Sequence, residues 1–142
     1  MRAVQSIKRV AQLDPLNTTL RLEELARLED GWLDGKGRAP AKNGLDWLAN
    51  SFDTRFDASL PLPWLYPTAE GGVQAEWSLN DWEVSLEIDL ETQQGIYQAL
   101  NLKDNSCNES TLFLGKADGW NRLNEALKQI EARKAEKRPR AS

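Results

Sequence analysis

Apolar and polar positions alternate most regularly between residues 73 and 90. Val73, Ala75, Trp77 and Leu79 take one parity against Gln74, Glu76 and Ser78. After Asn80-Asp81 the alternation resumes, with Trp82, Val84, Leu86, Ile88 and Leu90 against Glu83, Ser85, Glu87 and Asp89. A period of two marks half-buried strands. If Asn80-Asp81 forms a two-residue turn, Leu79 faces Trp82, Trp77 faces Val84, Ala75 faces Leu86 and Val73 faces Ile88, which puts the whole apolar set on one face. A one-residue slip would send one strand's apolar set into water, so pattern and turn specify a single register.

The flanking segments follow other periods. Asn17-Thr18-Thr19 offers helix caps, and Leu22, Leu25 and Leu28 recur at one-turn spacing up to Asp30, with Leu20 beside the stripe and Gly31 ending it. The stretch 31–40 contains Gly31, Gly35 and Gly37 and predicts a turn, after which Pro40 suits the first turn of a second helix over 40–52. Leu45, Leu48 and Phe52 form that helix's stripe, with Trp47 at its margin. Prolines 61, 63 and 67 exclude helix, so Leu62, Trp64, Leu65 and Tyr66 read as an edge strand.

Beyond the hairpin, Ile96, Leu100 and Leu102 fall on one side of a third long strand over 96–102, interrupted by Gln98. Leu112-Phe113-Leu114 reads as a short further strand after a polar loop over 103–110. Asp118 is placed to cap a helix in which Trp120, Leu123, Leu127 and Ile130 follow 3-4-3 spacing, and the apolar stripe fades beyond Ala132.

The elements together predict an α+β fold: a small antiparallel sheet of four to five strands with two N-terminal helices and one C-terminal helix packed on one face. Alternating strands of this kind belong to sheets with one solvated face, whereas buried parallel strands read as continuous apolar runs. The expected organisation is a flexible basic arm or short helix over 1–16 (Arg2, Lys8, Arg9), a single domain over 17–132, and a basic tail over 133–142.

Charge and composition then restrict the chemistry. The net charge of -4 is unevenly spread. No lysine or arginine occurs from Phe56 through Leu102, a stretch that holds Glu70, Glu76, Asp81, Glu83, Glu87, Asp89 and Glu91, while basic residues cluster from Arg122 onward. Such asymmetry selects which partners approach. The absence of histidine removes imidazole general bases, imidazole metal ligands and the Ser-His-Asp and Cys-His arrangements.

Cys107 is the single cysteine, so no internal disulfide forms, and it reads as an inert loop thiol. No phosphate-binding GxxxxGK[ST] or GxGxxG motif is present, Gly35-Lys36-Gly37 is too short to count as one, and Gly95-Ile96-Tyr97 matches only half of a GIY-YIG nuclease signature. The sequence therefore implies no cofactor. Glu76, Glu87 and Asp89 are the remaining candidates for Mg²⁺ binding or paired-carboxylate catalysis, but two flat strands offer no concavity in which ligands converge. No run approaches the roughly 20 apolar residues of a membrane span, and no signal-type apolar stretch follows the basic start, so a cytoplasmic location is expected.

Six tryptophans are many for this length. Trp77, Trp82 and Trp120 have the phase of core residues in their segments. Trp32, Trp64 and Tyr66 lie in glycine- or proline-rich connections and are candidate interface anchors.

The run Gly31-Trp32-Leu33-Asp34-Gly35-x-Gly37, Pro40, the second helix, the proline-rich stretch to Pro67, and Gly71-Gly72-Val73-Gln74-Ala75-Glu76-Trp77 resemble a widespread family of small bacterial proteins with no assigned activity. The resemblance covers about residues 20–90 and implies a shared fold. Members usually carry aspartate directly after the first tryptophan; here Leu33 intervenes, and only by the resemblance would a role of that acid carry over to Asp34.

The expected function is that of a non-catalytic protein-binding module such as an antitoxin, immunity protein or adaptor. Its expected partner is a protein with a basic surface, approached through Glu76, Glu83, Glu87 and Asp89, with Trp32, Asp34, Trp64 and Tyr66 as further contact candidates. The alternatives are a structural or phage-related accessory protein, a carboxylate-dependent enzyme, and weak nucleic-acid binding through the basic tail.

Overall fold

The computed structural model describes residues 15–137, with side-chain surroundings for 18–132. The expected arm therefore lies almost entirely outside the described residues, as does the tail after Lys137. Helix α1 (Pro15–Ala26) and helix α2 (Lys42–Thr54) precede five strands, β1 (Trp64–Pro67), β2 (Val73–Leu79), β3 (Trp82–Asp89), β4 (Gln94–Asn101) and β5 (Cys107–Phe113), and helix α3 (Ala117–Lys137) follows them. The strands form one antiparallel meander in sequence order.

The β2–β3 hairpin has the register required by its alternation: Val73 pairs with Ile88, Ala75 with Leu86, Trp77 with Val84, and Leu79 with Trp82. Asn80 supplies the left-handed backbone of the turn, with φ 61°. All of these apolar side chains are buried on the face that the helices cover. Leu22 and Leu25 of α1, Leu45, Leu48 and Phe52 of α2, and Trp120, Leu123, Leu127 and Ile130 of α3 complete the core.

Rings join the layers: Phe52 meets Phe56 and Trp120 edge to face at 5.4 and 5.2 Å, and Phe56 stacks on Trp77 at 6.1 Å. The buried indole N–H groups are satisfied, since Trp77 Nε1 donates to the Pro61 carbonyl at 2.9 Å and Trp120 Nε1 to that of Leu114 at 2.8 Å.

Several expected boundaries shift for local reasons. Helix α1 starts at Pro15, so Thr18 lies inside it and is buried; the helix stops at Ala26, short of Asp30. Its end tightens into i→i+3 bonds, Arg27 N–H to Glu24 and Leu28 N–H to Leu25, before the glycine loop takes over. Helix α2 begins after Pro40, with Ala41 as its N-cap. The Ala39 N–H is held by Asp30 Oδ1, which keeps this approach outside the helix. Asp118 lies in the first turn of α3, which extends through Lys137 into the expected tail.

The larger corrections concern β4 and β5. Ile96 and Leu100 do share a side of β4, but that side faces solvent, and Leu102 is exposed beyond the strand. Antiparallel pairing brings Ile88 opposite Gly95, Leu86 opposite Tyr97, and Val84 opposite Ala99, so these three β4 residues face the core. Gly95 is needed there because a Cβ would stand 2.8 and 2.9 Å from the Leu86 and Leu114 methyls. The second half of the expected polar loop over 103–110 is strand: β5 starts at Cys107, which places the exposed thiol on a strand rather than in a loop.

Candidate functional site

The helices leave one face of the sheet open, and strand parity determines what it carries. Glu76 from β2 and Glu83, Glu87 and Asp89 from β3 all belong to this face, as does Glu109 from β5. The register sets Trp64 beside Glu76 and Tyr66 beside Gln74, so the two β1 aromatics border the acidic strands. Across the sheet, Leu100 lies beside Glu83 and Ile96 beside Glu87, with Phe113 farther out beside Gln94. The carboxylates of the two central strands thus lie between apolar margins. Trp64, 72% exposed, and Phe113, 56% exposed, have the largest open rings.

None of the five strands contains lysine or arginine. The face therefore has one sign of charge. Neighbouring polar groups bind some of its acids: Gln74 Nε2 donates to Glu76 Oε2 at 2.7 Å, and the Ser78 hydroxyl donates to Glu83 at 2.9 Å. Asp89 has a local task, accepting the Glu91 and Thr92 N–H groups with one oxygen and shaping the β3–β4 turn.

Trp32 and Asp34 lie apart from this face, in the loop between α1 and α2. Trp32 Nε1 donates to the Arg38 carbonyl at 2.9 Å, and its half-buried ring packs against Gly37, where a Cβ would come within 3.2 Å. Gly37 also has φ 90°, so both space and backbone favour glycine. Asp34 is exposed, with φ 50°. The loop docks on the β1–β2 connection through the Arg38 N–H, which donates to the Ala69 carbonyl at 2.9 Å. Arg38 and Ala39, just after the glycine loop, thereby lie against Ala69 and Gly71, and a polar cleft of about 710 Å³ opens beside them, lined in part by Arg38, Glu70, Glu87 and Asp89.

Sequence reasoning missed Ile96, Leu100, Phe113 and Glu109 as members of the open face. The available signal was the parity of Tyr97 and Ala99, which opposes that of Ile96 and Leu100 and becomes decisive once β4 is paired with β3. Among the described residues no three acidic or cysteine side chains group as metal ligands. Among the same residues no helix is long and apolar enough to cross a membrane.

One charged pair stands out on the helical side. Lys128 of α3 meets Asp57 at 2.6 Å, the Ser59 hydroxyl and N–H also donate to Asp57, and Asn124 bridges to the Asp57 N–H and the Arg55 carbonyl. The Lys128 ammonium, with Ser59, holds the Asp57 carboxyl well below the usual carboxylate range, and Asp57 in turn raises Lys128. This cluster fastens α3 to the α2–β1 connection.

Comparison with family models, curated proteins and solved structures yields no match to this chain.

Proposed function

We infer that the protein is a non-catalytic binding module whose open sheet face takes a protein partner with a basic surface. The observation that carries this reading is the composition of that face: carboxylates on strands that themselves hold no lysine or arginine, bordered by Trp64 and Tyr66 on one side and by Ile96 and Leu100 on the other, with Arg38 reaching only the cleft at its end. Charge of one sign steers encounter and disfavours acidic partners, while desolvated aromatic and aliphatic side chains supply most of the affinity of a protein contact. An antitoxin, immunity protein or adaptor would use a face of this kind. Trp32, tied to its own loop, is a weaker anchor than Trp64.

The reading is tested by comparative affinity capture from the native host with wild-type protein, Trp64→Ala, Glu87→Lys and a control, Asp46→Lys, on the exposed side of α2. A protein retained by wild type and by the control, but lost from both face variants, is the expected result. Retention of the same proteins by all four forms would overturn the assignment of the face.

A further inference from the structure

The two edges of the sheet are treated differently. Strand β1 is four residues long and ends in Pro67, which has no N–H, and the Leu65 carbonyl already accepts Arg21 Nε at 2.8 Å. That edge is blunted by the usual devices. Strand β5 has seven residues, Cys-Asn-Glu-Ser-Thr-Leu-Phe, with neither proline nor lysine, and no described residue pairs along its outer side.

The hydrogen-bond phase identifies which groups point outward. Asn101 N–H donates to Ser106, and Leu114 N–H donates to Gln93, at the two ends of the β4–β5 ladder. By alternation, Asn108, Ser110 and Leu112 bond inward to β4, and Cys107, Glu109, Thr111 and Phe113 turn their backbone groups outward. The Phe113 carbonyl is taken by the Lys116 N–H. Among the described residues no backbone group takes the other outward groups.

We propose that two copies of this chain pair antiparallel through β5, with a twofold axis at Ser110, making one continuous ten-stranded sheet. In this register Glu109 bonds with Thr111 of the second copy, Cys107 lies opposite Phe113, and about six interstrand hydrogen bonds form. A shift that centres the axis on Glu109 would set like charges directly opposite, and one centred on Thr111 would shorten the overlap.

The helical side is self-complementary as well. A groove of about 470 Å³ beside β5 is lined by Tyr97, Ser110 and Leu112 below and by Arg122, Glu125 and Ala126 of α3 above. A twofold axis at Ser110 relates the two α3 helices antiparallel, and Arg122, whose Nε lies 3.5 Å from Asp118 of its own helix, would in this proposal turn to Glu125 of the other copy. The pairing does not depend on the proposed partner of the open face. It would join two such faces into one.

Sedimentation velocity and light scattering of the full chain test this directly, and a dimer at micromolar concentration is expected. In a Cys107→Ser background, Ser110→Cys should give a covalent dimer on mild oxidation, because directly opposed residues at the axis approach to about 4.5 Å between Cα atoms, within disulfide range. Asn108→Cys, on the same face but displaced from its own copy, should remain uncrosslinked. Arg122→Glu should weaken association, and adding Glu125→Arg should restore it. A monomer at all concentrations, equal cross-linking at 108 and 110, or no rescue by the double exchange would overturn the proposal.

Discussion

Trp77 and Trp64 show how parity assigns two identical side chains to opposite fates. Trp77 is 2% exposed, stacks on Phe56 and donates to Pro61. Trp77→Ala should cost about 3–5 kcal/mol in chemical denaturation, and a loss below about 1 kcal/mol would mean that the ring is not in the core. Trp64, on the solvent face of β1, should tolerate alanine within about 0.5 kcal/mol, so any larger loss of binding by that variant reports on the interface and not on folding. Trp77, Trp82 and Trp120 were legible as core residues because each sits inside a periodic segment. Trp32 was not, because its placement depends on a hydrogen bond to Arg38 and on the room left by Gly37, neither of which leaves a period in the sequence.

At the scale of elements, the hairpin was fully legible since both strands alternate and the turn joins them at a defined length. Strand β4 was legible as a strand but not in its orientation, because Ile96 and Leu100 are more apolar by inspection than Gly95, Tyr97 and Ala99. Pairing with β3 overrides that local impression. Strand β5 starts in a run, Cys-Asn-Glu-Ser-Thr, whose residues are all exposed, so no buried parity marks it.

The attachment of α3 through Asp57 and Lys128 is likewise a tertiary fact, joining positions far apart in sequence, and it makes stability depend on pH in a definite sense. The folded-state value of Asp57 is lowered, so its contribution is present above the unfolded value of about 3.9 and is lost as pH falls. That of Lys128 is raised, so its contribution is present below about 10.4 and disappears as pH rises beyond it. Denaturation midpoints of wild type and Asp57→Asn should therefore differ most between these limits and converge toward both ends. A constant gap across the whole range would show that the pair adds nothing through its charge.

For the whole molecule, a layer of three helices on one face leaves the other face of the meander to water, and the acidic middle of the chain supplies that face with its charge. A solvated sheet needs polar side chains, but it does not need Trp64, Tyr66, Ile96, Leu100 and Phe113 exposed on the same surface. The proposed binding role would account for both the acidic strands and the open apolar groups, whereas solubility alone would require only the former. The most direct measurement is the association rate of the captured partner with wild type and with a Glu83→Lys, Glu87→Lys double variant of confirmed fold, at low and high salt. A marked slowing of the variant that shrinks as salt rises is the expected result, because screening removes long-range steering by the face. Equal rates for the two proteins at both salt concentrations would contradict recognition through this surface.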